Sequence, residues 1–96
     1  MDFQINQEGG GVVAVLSGRL TFKENTAFRT LLGRLGQAKG GLVLDLRQLE
    51  FIDSAGLGML LVMRDGHDGA IGLRTGDGLV ARLLDLARFS DFFRME

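Results

Sequence analysis

Cysteine is missing from this chain, which excludes disulfide bridges and thiolate metal sites. The gap fits a reducing compartment. Histidine occurs once, as His67, so chemistry that needs an imidazole has a single candidate. No stretch gathers Lys or Arg into a run, and the net charge is −1. Nucleic-acid binding therefore lacks its usual electrostatic footprint. Long apolar runs are scarce too. The longest, Ala55 to Met63, falls far short of the roughly 20 residues that a membrane-spanning helix needs. The opening segment "MDFQINQEGGG" has neither the basic start nor the apolar core of a signal peptide. These gaps lead to the expectation of a soluble cytoplasmic protein without direct membrane insertion.

What is present is ordinary globular material. The chain has 96 residues, 46% hydrophobic and 24% charged, which suits one domain over residues 1–96. A domain of that size buries roughly 60–70% of its unfolded surface, enough for one core.

The hydrophobic period changes along the chain. Phe3 and Ile5 alternate with Asp2, Gln4 and Asn6, the mark of a short strand. "EGGG" at Glu8–Gly11 breaks it, and "VVAVLSG" at Val12–Gly18 reads as a more buried strand, giving a hairpin. Phe28, Leu31, Leu32 and Leu35 then form one helical stripe. Thr21 with Glu24 fits a capping box at its start, with Asn25 a competing cap, and Gly40-Gly41 ends the region. "LVLDL" at Leu42–Leu46 reads as a buried central strand, with "RQLEF" a connection after it. Ser54 to about Asp65 reads as a helix, Ala70–Thr75 as a strand, and Leu79 to Ala87 as a third helix. "DFFRME" adds a short last strand. The order β-β-α-β-α-β-α-β predicts an α/β fold: a mixed sheet of four or five strands with helices mainly on one face. The first strand is expected antiparallel at an edge, and the first two helices on the same face.

The stretch "EFIDSAGLGMLLVM", Glu50 to Met63, holds two readings. Asp53 or Ser54 can cap the following helix by accepting its free N–H groups. Alternatively, Ser54 is displayed there for another protein to modify. Gly56 and Gly58 each cost on the order of 1 kcal/mol relative to alanine in a helix, and glycine permits close approach. Leu57, Leu60 and Leu61 form one apolar face and Met59, Val62 and Met63 a second, which suits an adaptable contact surface.

Enzyme readings fare badly. Ser54 follows Ile52-Asp53 rather than standing in G-x-S-x-G. His67 lies about three helical turns beyond Ser54, too far to serve as its base. Neither a G-x-x-x-x-G-K-[ST] nor a G-x-G-x-x-G loop occurs. Asp65 and Asp68 are more simply solvated than metal-binding.

"VLDLRQLEFIDSAGLGMLL" resembles the signature of STAS domains, specifically the bacterial anti-sigma factor antagonists. "VAVLSGRLTF" is similar to that family's second strand and its exit, and "LVARLLDLARF" to its third helix. The resemblance spans essentially the whole chain. It implies that Ser54, directly after Asp53, is phosphorylated by a partner kinase of the histidine-kinase-like ATPase type, often itself the anti-sigma factor. It implies that a PP2C-type phosphatase reverses the step. The unphosphorylated form would bind its partner and free a sigma factor. The motif around the site is Asp53, Ala55, Gly56, Leu57 and Gly58, with Ala55 where some members carry a second hydroxyl. Met59, Val62 and Met63 are the expected partner contacts, joined by Thr21 and Phe22 from the loop after Gly18. No cofactor of its own is expected, since ATP and metal would come with the partner. Two rival functions remain open. One is a constitutive STAS subunit of a membrane lipid-transport ATPase complex with Ser54 unmodified. The other is a nucleotide-binding sensor module.

Overall fold

A computed structural model describes residues 1–36 and 40–96. The five strands are β1 (Asp2–Glu8), β2 (Gly11–Leu20), β3 (Leu42–Ile52), β4 (Ile71–Arg74) and β5 (Arg94–Met95). They form one sheet in the order β1-β2-β3-β4-β5. The helices are α1 (Asn25–Leu35), α2 (Ser54–Asp65) and α3 (Leu79–Leu86), with 3-10 turns at Phe22–Glu24 and Phe89–Asp91. β1 is an antiparallel edge strand, and every other pairing is parallel.

The hairpin follows from two glycines. Glu8 pairs with Gly11, so Gly9 and Gly10 alone make the turn, at φ 56° and 83°. A two-residue turn with both residues left-handed matches the twist of its strands, and glycine adopts it without strain.

Each later connection is a parallel crossover that steps one strand further in the same direction. Right-handed crossovers of that kind place their helices on one face. The buried side chains agree. Val12, Ala14 and Leu16 of β2, Leu42 and Leu44 of β3, and Ile71 and Leu73 of β4 share a single cluster with Phe28 and Leu31 of α1, Leu60 of α2, and Val80 and Leu84 of α3. Val13, of opposite parity, is buried but stands outside that cluster. Part of the opposite face carries ion pairs instead. Arg74 meets Glu8 and Glu96, and Arg94 meets Glu96.

Two expectations need correction. The central strand does not stop at Leu46 but runs on to Ile52. Its far half looks like a loop because Arg47, Gln48 and Glu50 are exposed, yet Leu49 and Ile52 are buried. That half pairs only with β2, after a bulge in which Val15 and Ser17 face Asp45 and Gln48. The first helix also starts in two steps. Thr21 leads the 3-10 turn, its N–H and hydroxyl both donating to the Glu24 carboxylate at 3.2 and 2.7 Å, and the α-helix proper begins at Asn25. Of the two candidate caps only Thr21 is used; Asn25 is the first residue of the α-helix, and Glu24 stands at its N-cap position. That α-helix ends at Leu35, with Gly36 as its C-cap, short of the expected Gly40-Gly41. Residues 37–39 lie outside the described part.

Candidate functional site at the start of α2

β3 delivers the chain to Asp53 in extended geometry, φ −103° and ψ −176°, and α2 begins at the next residue. Asp53 is the cap: its Oδ1 accepts the Gly56 N–H at 2.8 Å. Its carbonyl accepts the Leu57 N–H at 3.0 Å, the first bond of the helix. Oδ2 reaches across the fold to accept the Phe22 N–H at 3.3 Å. The Asp53 N–H donates to the Leu20 carbonyl at 3.3 Å. One residue thus ties the end of β2, the 3-10 turn and the start of α2.

The cap belongs to Asp53, and Ser54 is left as the exposed first residue of the helix. Thr21 is half-buried, and its hydroxyl donates to Glu24, whose carboxyl it holds below the usual range. Phe22 is 73% exposed, so a large aromatic ring faces water on the residue that Asp53 holds.

The glycines divide. A Cβ at Gly56 would strike the Leu20 carbonyl oxygen and stand 2.7 Å from Ile52 Cγ1. Gly56 therefore lets α2 sit close on the sheet, an internal packing need rather than access for a partner. Gly58 has open space where a Cβ would go. Ala55 and Leu57 are half-buried against the core.

The methionine face also needs correction. Met59 and Met63 are 8% and 3% exposed and belong to the core cluster, whereas Val62 is 63% exposed. The buried stripe of α2 is Gly56, Met59, Leu60 and Met63, at i, i+3, i+4 and i+7. Gly56 counts as an inward position, and that one phase shift turns the methionines inside. The outward line is Ser54, Gly58 and Val62, at i, i+4 and i+8.

That line borders a groove between α1 and α2. Asn25, Phe28, Arg29 and Leu32 face Met59 and Val62 around a depression of about 190 Å3. A second, of about 210 Å3, continues it between Leu32, Leu35, Gly36 and Leu42 on one side and Val62, Met63, Gly66 and His67 on the other. The sequence reading missed Leu32, Arg29 and His67 here. Leu32 carried a signal, as the fourth apolar residue of a stripe in which Phe28, Leu31 and Leu35 already supply the buried positions. Among the described residues no three carboxylate or imidazole groups gather as a metal site, and no helix is long and apolar enough to cross a membrane.

Comparison with known proteins agrees with this architecture. The family model described as Mlab, STAS domain, matches residues 3–95. An STAS-domain containing protein of Pseudomonas aeruginosa (strain UCBPP-PA14) is 30% identical over 91 residues, covering 92% of this chain and 90% of that protein. Among solved structures, the anti-sigma factor antagonist SpoIIAA in its unphosphorylated form superimposes with a TM-score of 0.71 at 21% identity, covering 99% of this chain and 87% of that one. The Bacillus cell fate determinant SpoIIAA in the phosphorylated form gives 0.69 at 18% identity, covering 99% and 91%. At those identities the likeness is one of fold.

Proposed function

The chain belongs to the STAS domain family, and on that premise we propose that it is an anti-sigma factor antagonist: a phosphorylation-controlled switch that binds a protein partner. One observation supports this most. Asp53 caps α2, so Ser54 stands exposed at the helix start with no capping duty.

In this reading a kinase of the histidine-kinase-like ATPase type docks on Phe22 and the line Ser54, Gly58 and Val62, beside the α1–α2 groove. The Ser54 Oγ attacks the γ-phosphorus of the kinase's ATP. The new Oγ–P bond replaces the bond to ADP, and the hydroxyl proton passes to a base on the kinase. The unphosphorylated form binds the anti-sigma factor and frees the sigma factor. A PP2C-type phosphatase restores that form.

Phosphate adds about −1.5 to −2 charges where the partner closes. A poorly paired charge buried in that contact costs several kcal/mol, so affinity should fall by about two orders of magnitude. The test is mass spectrometry of the protein from its own cells, with identification of what crosslinks to it. Phosphate on Ser54 and a histidine-kinase-like ATPase are expected. A clean Ser54 with a transporter ATPase at the same face would replace this reading with the constitutive-subunit one.

A further inference from the structure

We propose that Asp53 is a positioning residue through which a charge on Ser54 reaches Phe22. The inference rests on Ser54 being the modified residue, as argued above, and concerns how that modification is felt at Phe22, which lies 31 residues before Asp53 in sequence.

The two carboxylate oxygens of Asp53 are committed to different elements. Oδ1 holds the Gly56 N–H at 2.8 Å, inside α2. Oδ2 holds the Phe22 N–H at 3.3 Å, in the turn after β2. The turn is only three residues long, Phe22–Glu24. On its other side it is held by the Thr21–Glu24 bonds. Asp53 is thus the side chain that joins this turn to the helix carrying Ser54. Phe22 is 73% exposed, and exposed aromatic rings are favoured anchors of protein interfaces.

A phosphate on Ser54 brings three acceptor oxygens and about two negative charges next to that carboxylate. It competes for the free amides at the helix start and repels Asp53. Of the two bonds, the one to Phe22 is longer than the ordinary 2.7–3.2 Å range for an N–H···O bond, and it is the one that yields. The turn loosens and Phe22 leaves the position that the partner meets. The phosphate then acts twice, by its own charge and by displacing an aromatic anchor, and Asp53 is needed only for the second action.

The experiment needs no kinase. Phosphoserine is installed at position 54 during synthesis of the full chain, and amide hydrogen exchange is followed by NMR. The Phe22 amide should exchange about tenfold faster than with serine, the factor for losing roughly one net hydrogen bond, while Gly56 changes far less. In Asp53→Asn the Phe22 amide should no longer respond to the phosphate. An unchanged Phe22 amide in the otherwise wild-type chain, or an equal response in Asp53→Asn, overturns the coupling. If Asp53→Asn does not fold, the serine-against-phosphoserine comparison decides alone. A Ser54 free of phosphate in cells, with Phe22 still loosened by installed phosphoserine, defeats the switch and leaves the coupling. Phosphate on Ser54 in cells with an unmoved Phe22 does the reverse.

Discussion

Two alanine substitutions two residues apart in α2 should move stability in opposite directions. At Gly56 the new methyl strikes the Leu20 carbonyl oxygen and approaches Ile52 Cγ1 to 2.7 Å. The first obstacle is backbone, which cannot rotate aside, so the start of α2 must back away from the ends of β2 and β3. The same Leu20 oxygen accepts the Asp53 N–H at 3.3 Å, and that bond is strained with it. Overpacking of this kind costs about 1–3 kcal/mol, and here the upper part of that range applies. Replacing a helical glycine returns about 1 kcal/mol. The net loss is about 1–2 kcal/mol, which for a domain of roughly 100 residues lowers Tm by about 5–15 °C. At Gly58 nothing lies within 4 Å of the added carbon. Only the propensity gain remains, about 0.5–1 kcal/mol, and Tm should rise by about 2–8 °C. Gly33 in α1 is equally open and serves as a control for the gain. Urea and thermal melts of the three variants measure the effect, with midpoints expected to move at constant m. A Gly56→Ala protein as stable as the parent, or a Gly58→Ala protein less stable, would refute the division between a packing glycine and an open one. Gly58→Ala also puts a methyl on the outward line between Ser54 and Val62, so it should bind its partner more weakly while melting higher.

The remaining predictions concern the cap, the contact face and one ion pair. Asp53→Ala should cost about 0.5–2 kcal/mol in a urea melt, whereas Ser54→Ala should stay within about 0.5 kcal/mol of the parent; equal losses would mean that the serine shares the cap. Met59→Ala and Met63→Ala should each lose about 2–5 kcal/mol as core truncations, while Val62→Asp should leave stability within about 0.5 kcal/mol and weaken partner binding in a calorimetric titration. Arg47, bonded to Asp45 at 2.9 and 2.7 Å, holds the buried Asp45 carboxyl below its usual range. A lowered folded pKa gives stability that is present above the unfolded value of about 3.9 and lost as pH falls through the folded one. Arg47→Met should therefore melt lower than the parent at pH 7, with the gap closing as pH drops below about 4; a gap that does not depend on pH would sink this assignment.

Local grammar made much of the fold legible. Glu8–Gly11 reads as a turn because two successive left-handed positions ask for glycine, and Gly9 and Gly10 fill them. The bounds of α2 follow from a cap residue at one end and Gly66 at the other. The second half of β3 was not legible, because a strand with one partner beyond a bulge exposes polar residues and loses its alternation. The phase of α2 was ambiguous for a related reason. A helix apolar nearly all round has no polar face to set its rotation, and only the buried Gly56 shows which side meets the sheet. Within the site, Ser54 and Asp53 could be found from the motif. The Phe22–Asp53 bond could not, since no local pattern links residues so far apart.

On the proposed reading, Asp53 and Ser54 stand side by side because capping and display conflict in one residue. A serine that caps turns its oxygen back onto the helix amides, and modifying that oxygen would remove the bond that starts the helix. With Asp53 as cap, α2 is closed before anything happens at Ser54. On the proposed reading the phosphate then arrives at a helix start that favours an anion by about 0.3–1 kcal/mol. It also meets a neighbouring carboxylate whose repulsion is of about the same size in water-like surroundings. The two terms nearly cancel, so the helix can carry the phosphate with little change in its own stability, and the cost falls on the Phe22 bond. Asparagine caps a helix about as well as aspartate. What aspartate adds is charge and a second acceptor oxygen, the one that takes the Phe22 N–H, and at position 53 that charge lies between the serine proposed for modification and the turn that bears Phe22. If Ser54 is phosphorylated as proposed, the choice of acid over amide there bears on how the phosphate is sensed, while the helix would form with either.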